Sequence, residues 1–342
     1  MEQRSVLWRD GALHLLDQTL LPERVRWLRI EDNEALIEAV ARLAVRGAPA
    51  LGVVGTFGVA LAARRHGGAA GRVDEAAVRR ECALLAATRP TAVNLGKGVA
   101  RGLAAVDRGF EAVLAEALAV LAENEAANLA AARGAADMVE ELCGDGPLDP
   151  LTHCNTGWLA TVAVGTALGA ITELARRGRI GSVLVDETRP LLQGSRLTAW
   201  ELRQVGIPHR ICVDSAAAHA MRQGAVSCVL VGADRVSTQG DVANKIGTYG
   251  LAVLAAHHGI PFVVVATEMT IDERARSAAD FVIEERAADE VYPLRGPEES
   301  GARSEVFNPA FDITPWELVS ALVTEKRRIR NAAPYHSEPF LH

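Results

Sequence analysis

Over the first 30 residues, apolar and polar positions alternate around Asp10-Gly11 (SVLWRDGALHLL). Period-two alternation about an Asp-Gly pair predicts a β-hairpin with one buried face. From about Asn33 to Ala135 the period changes to that of a helix. Segment 34–45 places Leu36, Ile37, Val40, Leu43 and Ala44 at i, i+3, i+4 offsets. Further helices are expected at about 50–65, 75–87, 91–107 and 110–142, with no strong strand between them. The first part of the chain therefore reads as a small β-sheet plus a helical bundle.

The stretch 143–150 (CGDGPLDP) is rich in Gly and Pro and breaks any helix. It divides the chain into an expected β-hairpin/helical domain, 1–145, and a second domain, 146–342. In the second domain short apolar runs alternate with helices. Strands are expected at 151–154, 182–186, 210–214, 226–233 and 262–266, with helices between them such as 157–177 and 197–204. Such alternation predicts an α/β fold with a Rossmann-like parallel sheet covered on both faces. Ligands of such sheets bind outside the carboxyl ends of the strands. Cys154, Asp186, Asp214 and Asp234 all fall at that edge.

Composition narrows the picture. Of 342 residues, 49% are apolar and 23% charged, which excludes disorder or a coiled coil as the main architecture. A net charge of −7 argues against a broad nucleic-acid surface. No run of about 18 apolar residues suggests a membrane span, and the N-terminus lacks the apolar stretch of a signal peptide. The five cysteines, Cys82, Cys143, Cys154, Cys212 and Cys228, are odd in number and widely spaced. They form neither a disulfide framework nor a zinc site, and a reduced, cytoplasmic setting is expected. Three lysines (Lys97, Lys245, Lys326) stand against 33 arginines, so each lysine position is informative.

Cys154 closes a strand and precedes an expected long helix, whose dipole would lower its pKa, with His153 adding to the effect. A small buried hydrophobe is the competing reading. Asp234 follows a buried strand. It either pairs with Arg235 or faces the cleft as an acid/base whose pKa burial raises. Asp186 and Asp214 face the same choice, and near Asp186 a salt-bridge network with Glu187 and Arg189 is at least as plausible. Arg46-Gly47-Ala48 ends one helix and starts another, a setting that suits a phosphate or a tight helix connection. Arg89, before Pro90-Thr91, has the same character. Asn244 and Lys245 are expected at the start of a helix, where a phosphate would want a point charge. His257 and His258 are expected on the surface. Neither a dinucleotide nor a P-loop glycine motif is present, and no clustered histidines suggest a metal.

The blocks RGAPA (46–50), HCNTGWLAT (153–161), DETRPLLQGSRLTAWEL (186–202), GADRVSTQGDVANKIGTY (232–249) and NPAFDITP (308–315) resemble methylthioribose-1-phosphate isomerases. Those are relatives of the regulatory subunits of the eukaryotic initiation-factor exchange complex and of ribose-1,5-bisphosphate isomerases. The resemblance runs nearly end to end. It implies an N-terminal helical domain, a Rossmann-like C-terminal domain, a homodimer, and conversion of an aldose 1-phosphate to a ketose 1-phosphate in methionine salvage without a cofactor or metal. By matching motif it implies Cys154 and Asp234 as the catalytic pair. Arg46, Gly47, Ala48, Arg89, Gln193, Asn244 and Lys245 would bind the sugar phosphate.

Three segments depart from the family pattern: 94–98 (NLGKG), 214–217 (DSAA) and 266–270 (ATEMT). They bear on the group at C5, which could be methylthio, deoxy or phosphate, with Lys97 a source of charge for the last. Two other functions compete: a non-catalytic regulatory subunit, which would need neither Cys154 nor Asp234, and a nicotinamide-dependent dehydrogenase, which the missing glycine fingerprint weakens.

Overall fold

The computed structural model describes residues 3–68, 72–89, 92–292 and 304–332. The chain opens with the expected hairpin, β1 (Val6–Arg9) and β2 (Ala12–Leu16), paired Val6 to Leu15 and Trp8 to Leu13. Asp10 and Gly11 both have positive φ, 49° and 68°, the backbone a two-residue hairpin turn needs. A third strand, β3 (Trp27–Ile30), adds antiparallel to β2.

Five helices follow: α1 (Asn33–Ala41), α2 (Ala48–Arg65), α3 (Glu75–Ala87), α4 (Val93–Leu103) and α5 (Phe110–Cys143). Helix α2 is buried on every side from Pro49 to Ala63, so it shows no amphipathic stripe and forms the axis of the bundle. It touches α4 backbone to backbone: a Cβ added at Gly98 would lie 1.9 Å from the Gly52 carbonyl oxygen. Helix α5 serves two cores. Val113, Ala117 and Val120 pack in the N-terminal bundle, whereas Ala131, Ala135 and Val139 pack on the large sheet.

That sheet has seven strands: β4 (Pro150–Thr152), β5 (Val183–Asp186), β6 (His209–Cys212), β7 (Cys228–Val231), β10 (Phe262–Val265), β12 (Ala321–Val323) and β13 (Arg328–Arg330). Their spatial order is β13-β12-β10-β7-β4-β5-β6. All neighbours are parallel except β12 and β13. Alternate side chains feed opposite layers: Val183, Val185, Leu230 and Val263 face α5 and α7 (Ala167–Arg176), while Leu184, Val229, Val231 and Val264 face α9 (Ala217–Arg222) and α10 (Thr248–His258). The sheet is thus covered on both faces, as the continuous apolar runs imply. The chain leaves β4 toward β5 and β6, then returns to lay β7, β10 and β12 on the other side. The strand order therefore reverses between β4 and β7, and a crevice opens there.

Several expectations are corrected. Residues 157–177 are not one helix. A single turn, α6 (Trp158–Thr161), ends where Val162, Val164 and Gly165 take positive φ, and α7 starts afterwards. The expected helix at 197–204 is α8 (Ala199–Gln204), entered through one π-turn over Gly194–Thr198. Asn244 and Lys245 do not start a helix. They end β9 (Val242–Lys245), the middle strand of a second small sheet with β8 (Arg235–Val236) and β11 (Phe311–Thr314). Its pairing, Asn244 opposite Asp312 and Lys245 opposite Phe311, joins segments more than 60 residues apart. Among the described residues no helix is long and apolar enough to cross a membrane, and all five cysteines are free.

Candidate active site

Cys154 lies just beyond β4, and Asp234 just beyond β7, on the two strands that flank the reversal. Both line one cavity, together with Arg46, Gly47, Ala48, Asn155 and Asn244. A second chamber shares Gly47, Ala48 and Asp234 and adds Arg89, Asn94 and an apolar wall of Leu51, Val93, Phe281, Val282, Ile283 and Phe311.

The backbone holds Cys154 in a demanding conformation, φ 62°, which costs a non-glycine residue roughly 1–3 kcal/mol. Two threonines brace it. Thr188 Oγ1 accepts from the Cys154 N–H at 2.8 Å, and Thr198 Oγ1 donates to its carbonyl at 2.6 Å. The expected helix dipole does not reach the thiol as foreseen. Helix α6 is one turn long, and its first N–H groups, from Trp158 and Leu159, point at the Glu201 carboxylate at 2.8 and 3.3 Å. His153 does not assist either. Its Nδ1 pairs with Asp186 Oδ2 at 2.9 Å and its Nε2 with the Ile246 carbonyl at 2.8 Å. Burial alone would depress the imidazole, but the hydrogen bond and charge of Asp186 outweigh it and hold His153 above its ordinary value.

Asp234 does not pair with Arg235, which bonds Asp272 instead. Among the described residues only the Asp234 backbone is tied, its N–H donating to the Ala243 carbonyl at 3.0 Å. Burial raises its carboxyl above the usual carboxylate range, and the charges of Lys245, Arg46 and Arg89 pull it part of the way back. Burial also lowers the Arg89 guanidinium, against the charge of Glu284. A carboxyl whose proton burial holds more tightly suits proton donation to a substrate whose anion the neighbouring cations hold.

Gly47 stands at the N-cap of α2 with φ 97°, and a Cβ there would meet the Ala160 carbonyl at 2.3 Å. The glycine lets α2 and α6 touch and leaves the first amides of α2 beside the cavity, a setting for an anion. Arg46 reaches across to the Asn155 carbonyl, 3.2 Å from each terminal nitrogen, and to Asn155 Oδ1. Asn244 Nδ2 donates to Thr248 Oγ1 at 3.0 Å. Lys245 is buried, donates to the Ala310 carbonyl at 2.9 Å and lies over the Phe311 ring. Gln193 is buried, lines neither chamber, and its Oε1 has no partner among the described residues. Pro90 and Thr91 lie outside the described residues.

The other strand-end acids are spent on structure. Asp214 accepts the backbone N–H groups of Thr188 and Arg189, both at 2.7 Å, and Asp186 also accepts from Cys212 Sγ at 3.4 Å. Among the described residues the salt-bridge network expected around Glu187 and Arg189 does not form: Arg189 bonds the carbonyls of Pro190 and Val291. His153, Asp186 and Asp214 bring three possible metal-ligand atoms within 4.8 Å, but their hydrogen bonds occupy those atoms. Lys97 donates to the Met269 carbonyl at 3.0 Å beside Asp272 and Arg235, outside both chambers. His257 and His258 lie on the outer part of α10 with their rings in edge contact, centroids 4.9 Å apart. The sequence pointed to neither Asn155 nor Glu201, although both lie inside motif blocks. It also missed the apolar wall, which four distant segments supply.

Known proteins are similar to this chain. The model of the Initiation factor 2 subunit family matches residues 44–329. A probable bifunctional methylthioribose-1-phosphate isomerase/methylthioribulose-1-phosphate dehydratase of Nocardia farcinica is 56% identical over 95% of the chain, which spans 59% of that relative's length. The methylthioribose-1-phosphate isomerase of Pseudomonas fluorescens is 47% identical over 94% of the chain and 91% of its own length. Among solved structures, a translation initiation factor eIF-2B delta subunit from A. fulgidus superposes with a TM-score of 0.84 at 42% identity, covering 96% of each chain. The 5-methylthioribose 1-phosphate isomerase of Pyrococcus horikoshii also gives 0.84, at 36% identity over 97% of this chain and 93% of its own. The chain belongs to the Initiation factor 2 subunit family.

Proposed function

We propose that this protein is an aldose–ketose isomerase that converts 5-methylthioribose 1-phosphate to the corresponding ribulose 1-phosphate, in methionine salvage. The observation that carries the reading is the meeting of Cys154 and Asp234 in one cavity at the strand-order reversal, beside Arg46 and Arg89. A regulatory subunit would need neither reactive group. The relatives that cover most of their length with this chain are named for this activity.

With C1 esterified, the sugar ring cannot open as a free hemiacetal does. The protonated Asp234 carboxyl donates to the ring oxygen as the bond from C1 to that oxygen breaks. Cys154, as thiolate, takes the proton from C2, giving an enol phosphate. The C2 hydroxyl then returns a proton to Asp234 while the Cys154 thiol protonates C1. Both groups end as they began, and no cofactor or metal is required. Arg46, Arg89 and Asn244, with the amides at Gly47 and Ala48, line the chambers and hold the sugar phosphate; Lys245 adds its charge from beside Asp234, and Gln193, which lines neither chamber, supports the site from behind. The apolar wall of Phe281, Ile283 and Phe311 suits a methylthio group at C5.

Comparing kcat/KM across methylthio, deoxy, hydroxy and phosphorylated C5 substrates tests the reading. It fails if none yields ketose, or if the bisphosphate is preferred. Deuterium at C2 tests the route: washout into solvent supports the enol, and full retention at C1 replaces it with a hydride shift. The proposal also includes a homodimer, which the exposed Ile211 and Val213 at edge strand β6 support, and the division at 145/146. Light scattering of the purified protein reads the first.

A further inference from the structure

Glu201, on α8, is 2% exposed and belongs to neither chamber. Three donors converge on it: Asn155 Nδ2 at 2.7 Å, Trp158 N at 2.8 Å and Leu159 N at 3.3 Å. It lies so close to α6 that a Cβ on Gly157 would stand 2.0 Å from its Oε2. Asn155 faces both ways. Its Nδ2 donates to Glu201 and, at 3.2 Å, to Thr198 Oγ1, while its Oδ1 accepts from Arg46. Only this amide orientation satisfies an acceptor on one side and a guanidinium on the other. Thr198 also holds the Cys154 carbonyl.

We infer that Glu201 is a positioning residue: through Asn155 it fixes the Arg46 guanidinium at the anion site and ties the Cys154 turn to α6. The inference rests on the sugar-phosphate reading of Arg46. Glutamine at 201 has the right size, but its NH2 must face one of the three donors, so Asn155 is left free to turn and Arg46 keeps only the Asn155 main-chain carbonyl. Arg46 is the charged group facing Glu201; its other neighbours, Asn155, Thr198 and the α6 amides, are neutral. Burial pushes the Glu201 carboxyl up to about 7, so the relay is partly protonated near neutral pH.

The test measures turnover of 5-methylthioribose 1-phosphate and calorimetric binding of inorganic phosphate for wild type, Glu201→Gln, Asn155→Ala and the double variant. Both single variants are expected to weaken phosphate binding and raise KM about tenfold, with kcat changed far less. The double variant is expected to cost no more than either single one. The acid limb of kcat/KM near pH 7 should be reduced in Glu201→Gln. A folded Glu201→Gln with wild-type KM and phosphate affinity overturns the inference, and so does fully additive behaviour. If Glu201→Gln does not fold, a wild-type phosphate affinity in Asn155→Ala overturns it. If wild type turns over no sugar phosphate yet the variants lose phosphate binding, the positioning role stands and the proposed reaction falls.

Discussion

Asp186 and Asp234 look alike in the sequence: each ends an apolar run, LVD or VGAD, at the same edge of the same sheet. In the folded chain their surroundings differ. Asp186 follows β5, away from the reversal, where His153 and Cys212 take its two oxygens. Asp234 follows β7 at the reversal, where it lines a cavity and feels the charges of Lys245, Arg46 and Arg89. A strand-end acid is free for chemistry, the role proposed for Asp234, where the topology leaves it facing a cavity, and is spent on structure where the next strand supplies a partner. Cys154 shows the same rule from the other side of the crevice.

Breaking that contrast should give graded effects. Asp234→Asn is expected to lower kcat by about 10³–10⁴-fold with substrate still bound, as judged by steady-state kinetics and calorimetry; near-wild-type kcat would remove Asp234 from the mechanism. Cys154→Ser should lower kcat about 10²–10³-fold, again with binding retained. The structural partner behaves otherwise. Asp186→Ala strands a buried imidazole and should cost about 3–5 kcal/mol of stability in denaturant unfolding, while the folded fraction keeps its kcat within about threefold. If activity collapses in the folded fraction, Asp186 belongs with the catalytic groups.

Smaller effects sharpen the picture further. The Glu201 carboxyl, at about 7 when folded and about 4.3 when unfolded, binds its proton more tightly in the folded state. That stabilisation is complete below about pH 4.3 and is lost as pH rises toward 7, so wild type should lose up to about 3 kcal/mol more than Glu201→Gln between pH 4 and 8. Chemical denaturation at the two pH values reads the difference. Phe281→Ala, which opens the apolar wall, should shift the methylthio-over-hydroxy preference in kcat/KM by about tenfold toward hydroxy.

Much of this was legible in the sequence. Strands β4, β5, β7 and β10 announce themselves because a buried parallel strand must be apolar on both faces, and α2 to α5 because their helical stretches are long. The break after α6 was not legible. It falls on Val162 and Val164, β-branched residues that rarely take positive φ, and only the surrounding fold makes them do so. Strand β9 escaped because its partner Phe311–Thr314 lies far along the chain and no local turn signals the pairing. Lys245 was found as a rare residue, but its place over Phe311 depends on that same distant pairing. Glu201 was invisible for a different reason: one acid in an ordinary helical stretch gives no sign that three amides will converge on it.

Helix α5 has 34 residues, which makes it about 50 Å long. Because one end is embedded in the bundle and the other lies on the large sheet, neither core can melt without exposing part of the same rod. The protein should therefore unfold as one cooperative block, with the amides in the middle of α5 among the last to exchange with solvent. Cutting the chain at the proposed 145/146 division would strip the sheet of a cover, because α5 precedes the cut in sequence yet packs on the second unit.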